Sequence, residues 1–173
     1  MWPFSSKPKE ITKTTRQYET EYRDWAEKQM ANGTSRQAVC NQLLKMNLGF
    51  PKLKGLSKSD QLTVLTDSVN RSEASSHVHR ELYGVMGDRN LTGKELEKAG
   101  RIDEAIALYE ANLTDCFEGT HPYERLRILY TKRKDYDNAI RVCRMAKEIL
   151  KGSQELREAW DTEIKKLEER KSR

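Results

Sequence analysis

The chain has 173 residues, of which 34% are charged and 36% hydrophobic, against roughly 25% charged in an ordinary soluble domain. With a mean hydropathy of −0.90, it has too little apolar side chain for a wide, thick core but enough for a thin two-layer assembly of amphipathic helices. The net charge of +5 lies entirely in residues 1–60, where eleven Lys/Arg face six Asp/Glu; residues 61–173 hold twenty-one of each.

Several classes are set aside at once. No run approaches the ~18 apolar residues of a membrane span. Met1-Trp-Pro-Phe is followed by Ser-Ser-Lys-Pro-Lys-Glu, with no apolar signal-peptide core. Cys40, Cys116 and Cys143 are odd in number and far apart, which does not make a disulfide framework. The expectation is a cytoplasmic helical protein that is not an integral membrane protein. The basic N-terminal third has two readings: an approach to something anionic, such as nucleic acid or lipid headgroups, or a mixed solvated surface. Six acids interleave with its bases and no block of five like charges occurs, which favours the solvated surface.

Residues 1–8, with Pro3, Pro8 and paired serines, read as a flexible N-terminus, and 9–87 as an N-terminal helical region. A first helix is expected from about Lys9 to Met30, with Tyr18, Tyr22 and Trp25 at i, i+4, i+7 on one face. Beside Arg16 and Arg23 such a stripe could stack bases; it fits a packing surface better, within the chain or against a second copy. Asn32-Gly33 ends it. Thr34, with Gln37 as capping-box partner, opens a second helix to about Leu48, and Gly49-Phe50-Pro51 stops it. Ser57 and Ser59 compete to cap a third helix through Val69, carrying Leu62, Leu65 and Val69. A fourth runs from about Ser72 to Met86 with Val78, Leu82 and Val85. No segment alternates with period two, so no sheet is expected.

The strongest signal is internal. Offset by 34, Leu96 falls on Tyr130, Ile102 on Tyr136, Asp103 on Asp137, Ala105 on Ala139 and Ile106 on Ile140. A fixed period of 20–50 residues marks stacked supersecondary units. The alanines follow tight turns, where two antiparallel helices approach closely and only a small side chain fits. Because one unit cannot bury its apolar face alone, an end cap is needed. Leu156, Trp160, Ile164 and Leu167 at i, i+4, i+8, i+11 supply it, with a charged opposite face that includes Asp161 and Glu163.

These residues resemble the tetratricopeptide repeat. In the first unit Gly93, Leu96, Ala105 and Tyr109 fit that pattern, while Arg89 and Thr92 replace its Trp and Leu. In the second, Tyr123, Leu126, Tyr130 and Ala139 fit; Arg127 replaces the Gly and Cys143 the aromatic. The terminal Pro is missing after the first, where Cys116-Phe-Glu-Gly-Thr-His-Pro makes a turn instead. The resemblance spans residues 88–150. It implies an all-α chain of antiparallel helical hairpins: a two-repeat solenoid with N-terminal helices before it and a capping helix in 151–173. It also implies that the first helix of each hairpin lines a concave groove for a partner protein or peptide. On that face the first hairpin would show Asn90, Lys94 and Lys98, and the second Glu124, Arg125, Ile128 and Lys132. Asn amides could clamp a peptide backbone and the Lys/Arg cluster an acidic segment.

No catalytic constellation stands out, and no cofactor or metal is implied. His77 and His79 point about 200° apart on a helix and cannot share a metal by i, i+4 geometry, although Glu81 lies four residues from His77. His121 sits in a turn, and Cys143 at a packing position. Gly84-x-x-Gly87 and Gly93 lack the lysine and glycine density of a phosphate loop. The leading expectation is a non-enzymatic interaction module or adaptor. The alternatives are a nucleic-acid-associated accessory protein, a homo-oligomeric scaffold and an enzyme of unfamiliar site. For the second of these four readings, the Met46–Gly55 connection is much longer than the turn of a helix-turn-helix.

Overall fold

The computed structural model describes residues 12–46, 51–150 and 152–173, and every regular element in them is a helix. These are α1 (Thr15–Ala31), α2 (Arg36–Met46), α3 (Lys58–Lys98), α4 (Ile102–Thr114), α5 (His121–Lys132), α6 (Tyr136–Ile149) and α7 (Gln154–Lys171). The expected flexible terminus at 1–8, the helix start near Lys9, and Leu48 with the Gly49-Phe50 stop all lie outside the described residues. None of the described helices is long and apolar enough to cross a membrane. The chain forms two compact units, residues 1–33 with 39–81 and residues 34–38 with 82–173.

Three boundaries differ from those expected. α1 starts at Thr15 because Thr14 and Gln17 close a reciprocal capping box. In α2 the cap is Ser35, not Thr34: the Ser35 hydroxyl accepts the Ala38 amide at 3.3 Å. Gln37 is used elsewhere: its backbone amide donates to the Asp115 carbonyl at 3.1 Å, and its side-chain oxygen accepts the Glu118 amide at 3.4 Å. The largest difference is α3, where one helix of 41 residues replaces the separate helices expected at 57–69, 72–86 and from 88. Neither Pro nor Gly stands between Val69 and Ser72, and the serines there do not break an established ladder of backbone hydrogen bonds. Of the two competing caps Ser57 wins, accepting the Asp60 amide at 3.1 Å.

Among the described residues of the first unit the fully buried apolar ones are few: Ala26, Val39, Cys40, Leu43, Ala74 and Val78. α2 is tied to α3 by the buried Ser75 hydroxyl, which donates to the Leu43 carbonyl at 2.6 Å. α1 is held to α3 largely by polar contacts. The Tyr18 hydroxyl donates to Asp67 at 2.5 Å, Arg23 forks onto Glu81 at 2.9 and 2.7 Å, and His77 pairs with Glu19 at 2.6 Å. Tyr18, Tyr22 and Trp25 are only half-buried, and the two tyrosine rings stack at 6.2 Å. Burial, then the bond to Asp67, pushes the Tyr18 phenol up to about 12.

The second unit has a continuous apolar core. It runs from Ala105, Tyr109 and Leu113 through Tyr123, Leu126 and Leu129 to Val142, Cys143 and Trp160. Its two tight turns match at the offset of 34. Gly100 (φ 75°) and Lys134 (φ 60°) both take the left-handed conformation. The following amides, of Arg101 and Asp135, return to the carbonyls of Leu96 and Tyr130, each at 2.9 Å. Such 6→1 bonds satisfy helix-end carbonyls that would otherwise lack a partner. Arg101 (φ −84°, ψ 61°) and Asp135 (φ −83°, ψ 72°) then open α4 and α6. Ala105 and Ala139 are each the fourth residue of their helix and fully buried.

Gly93 marks another close approach. A Cβ there would lie 2.6 Å from a ring carbon of the buried Tyr109, so the α3 backbone rests on the aromatic ring. α7 closes the core with Trp160 and Leu167, while Leu156 and Ile164 pack on the same cluster. Not all of its charged face meets solvent alone: Glu163 binds Arg127 at 2.8 Å, and Asp161 and Lys171 pair with Lys147 and Asp137 on α6.

Candidate functional site

The end of α3, the start of α4 and α5 enclose a cleft of about 540 Å³. Lys98, Arg125, Lys132 and Arg133 line it, above an aliphatic floor of Ile102 and Leu129; its one acid is Glu97. Each cation owes its place to a local feature. Lys98 and Lys132 occupy the last turns of α3 and α5, where a positive side chain meets the negative end of the helix. Arg133 is the C-cap of α5, just before the left-handed Lys134. Arg125 sits one turn into α5, which Pro122 starts with a φ already suited to a helix.

Glu97 is engaged before any ligand arrives. Arg125 forks onto it, with Nε to Oε1 at 2.9 Å and Nη2 to Oε2, and the Tyr109 hydroxyl donates to it at 2.8 Å. These bonds, Arg125 first, hold the carboxyl below its ordinary range although burial opposes them. Two further cations have looser partners on exposed positions. Lys98 meets Glu95 at 2.7 Å and Arg133 meets Asp103 at 2.5 Å, with the two acids 68% and 87% exposed. Exposed pairs of this kind contribute 0–1 kcal/mol or so and exchange readily for a better anion. Lys132 makes no ion pair among the described residues.

A larger cleft of about 590 Å³ between α6 and α7 shows what distinguishes this one. Arg141, Arg144 and Lys171 there face Asp137, Glu148 and Glu168, and most of these are spent on one another or on Glu110. That surface has no excess charge to offer.

Of the seven residues that sequence reasoning placed on a partner-binding face, three meet in the cationic cleft: Lys98, Arg125 and Lys132. Asn90 does not. Its Oδ1 accepts the side-chain amide of the fully buried Asn112 at 2.9 Å, while that amide also donates to the Met86 carbonyl at 2.8 Å, so Asn90 belongs to the packing of α3 on α4. Lys94 is exposed near His121, whose imidazole is lowered first by burial and then by Arg125. Ile128 faces a separate groove of about 240 Å³ between α5 and α7, with Leu156, Ala159, Trp160 and Glu124. Sequence reasoning missed Arg133 and Glu97. Arg133 lies one residue past the helix that carried the count, and the role of Glu97 depends on a contact 28 residues away. Among the described residues no three His, Cys, Asp or Glu gather as for a metal ion. His77 pairs with Glu19 and Glu81 with Arg23.

No protein-family model, no curated protein and no solved structure matches this chain.

Proposed function

We infer that the chain is a non-enzymatic interaction module resembling a tetratricopeptide-repeat protein, and that its second unit takes an acidic segment of a partner protein in the α3–α5 cleft. The observation that carries this reading is the composition of the cleft: four cations over Ile102 and Leu129, with the single carboxylate already bound by Arg125 and Tyr109. Arg125 is held at both ends of its fork and so presents a fixed positive edge. Lys132 supplies a mobile charge, and the aliphatic floor favours an apolar side chain next to the acidic ones. Cations and aliphatic groups without an activated nucleophile or a pair of free carboxylates suit binding better than turnover.

The test is fluorescence anisotropy of a labelled peptide in which aspartates flank one leucine, titrated with the intact chain. Binding should weaken as salt rises. In Lys98→Glu/Lys132→Glu it should fall by about tenfold or more, because a like-charge rim repels the probe. Helical circular dichroism should stay the same. Equal affinity in the double variant would remove the cleft from consideration.

A further inference from the structure

In the first unit α3 carries an apolar stripe that none of the described residues of that unit covers. Leu62, Leu65 and Val69 are 67%, 41% and 53% exposed, yet their i, i+3, i+7 spacing is that of a helix seam. Asp67, Asn70 and His77 of α3 take α1, and Ser75 takes α2. At about 100° per residue, the stripe lies roughly 110–120° round the helix from both sets. The helix therefore has three faces, two of them in use.

We propose that the third face is the seam of an antiparallel dimer formed with a second copy of this chain. The charges beside the stripe select that occupant. Lys58 precedes it and Glu73 follows it, both on the stripe's side of the helix and both exposed. Glu73 accepts the Thr15 hydroxyl at 3.2 Å, and neither residue makes an ion pair among the described residues. A two-fold axis between Leu65 and Thr66 sets Leu62 of one copy against Val69 of the other. The same axis sets each Lys58 against the opposite Glu73. A two-fold interface must be complementary to itself, and this pattern is. Parallel pairing would instead oppose Lys58 to Lys58 and Glu73 to Glu73, which is repulsive. Gln61, Ser68 and Ser72 flank the stripe, so closing the seam strands no charge. The helix is already held by α1 and α2 and need not be nucleated on docking. The segment from Lys58 to Glu73 is only about 24 Å long, so the interface is smaller than that of a permanent dimer and forms with rising concentration.

Sedimentation velocity on the full chain, from low micromolar to near-millimolar concentration, tests this independently of the cationic cleft. A monomer–dimer equilibrium is expected. Leu62→Ser/Val69→Ser should leave a monomer with unchanged helical circular dichroism. Lys58→Glu should weaken the dimer about tenfold or more, since two attractive pairs become repulsive. Lys58→Glu/Glu73→Lys should restore it. A monomer at every concentration would overturn the proposal, as would a dimer indifferent to the serine pair or a charge exchange that fails to rescue. A dimer that appears only when residues 1–11 are deleted would also overturn it, by showing that this segment occupies the stripe.

Discussion

In the second unit tyrosines and leucines meet in one apolar cluster that crosses four helices, whereas in the first a handful of small and medium residues is buried and hydrogen-bonded pairs hold α1 to α3. Both units draw on the same long helix. The difference lies in which faces repeat. In the second unit the apolar positions recur with the 34-residue step, so each helix meets two neighbours and large side chains can be enclosed. α1 has a mean composition so polar that only Ala26 on it is fully buried. Apolar burial contributes about 25 cal/mol per Å², while an exposed ion pair contributes under 1 kcal/mol. The second unit should therefore be the more stable of the two.

The sharpest way to break that comparison is to truncate one buried side chain in each unit. Tyr109→Ala should cost about 3–5 kcal/mol, since it empties a fully buried ring site and orphans one hydrogen bond of Glu97. Leu43→Ala in the first unit should cost about 2–3 kcal/mol, as its smaller core collapses more easily. Urea unfolding followed by hydrogen exchange would measure both. Equal protection loss across the two units after either change would show one core, not two.

A gentler probe uses the glycines of α3. Gly93→Ala should destabilise by about 1–3 kcal/mol, because the new Cβ meets the Tyr109 ring, which has no room to move. Gly84→Ala meets nothing within 4 Å and should stabilise by up to about 1 kcal/mol, the difference in helix propensity. Thermal melts of the two variants shifting in the same direction would contradict the close approach.

The smallest expected effect is on the acid side. Glu97 has its folded carboxyl below the ordinary value of 4.5, chiefly through Arg125. A depressed acid contributes stability that is present above the unfolded value and is lost as pH falls through the folded one. Glu81 is lowered by Arg23 in the same direction, but it is exposed and solvent screens it. The urea midpoint should thus fall between pH 5 and pH 3 more steeply in the parent than in Glu97→Gln, while Glu81→Gln changes little. Identical profiles for all three would deny the part-buried Glu97–Arg125 pair its role.

The all-helical class and the position of every helix from α4 onward were legible in the sequence, because turn chemistry and apolar spacing there agree. Gly100 announces its turn; Lys134 does not, and only its alignment with Gly100 exposes it. The continuity of α3 was not legible. Serines and asparagine between 68 and 76 resemble caps locally, and what overrides them is the packing of Ala74, Ser75 and Val78. In the cationic cleft, helix counting found Lys98, Arg125 and Lys132, whose positions follow from the period of the helix. It could not find Glu97 or remove Asn90, since both depend on which neighbour a polar side chain meets across the hairpin.

The chain leaves its two left-handed turns along nearly the same path, at Arg101 and at Asp135. A cut at either point exposes interchangeable ends. Joining Arg101 to Tyr136, or duplicating 102–135, would meet matching backbone torsions at the seam. The two joints are thus alike in backbone torsion although one is carried by an arginine and the other by an aspartate.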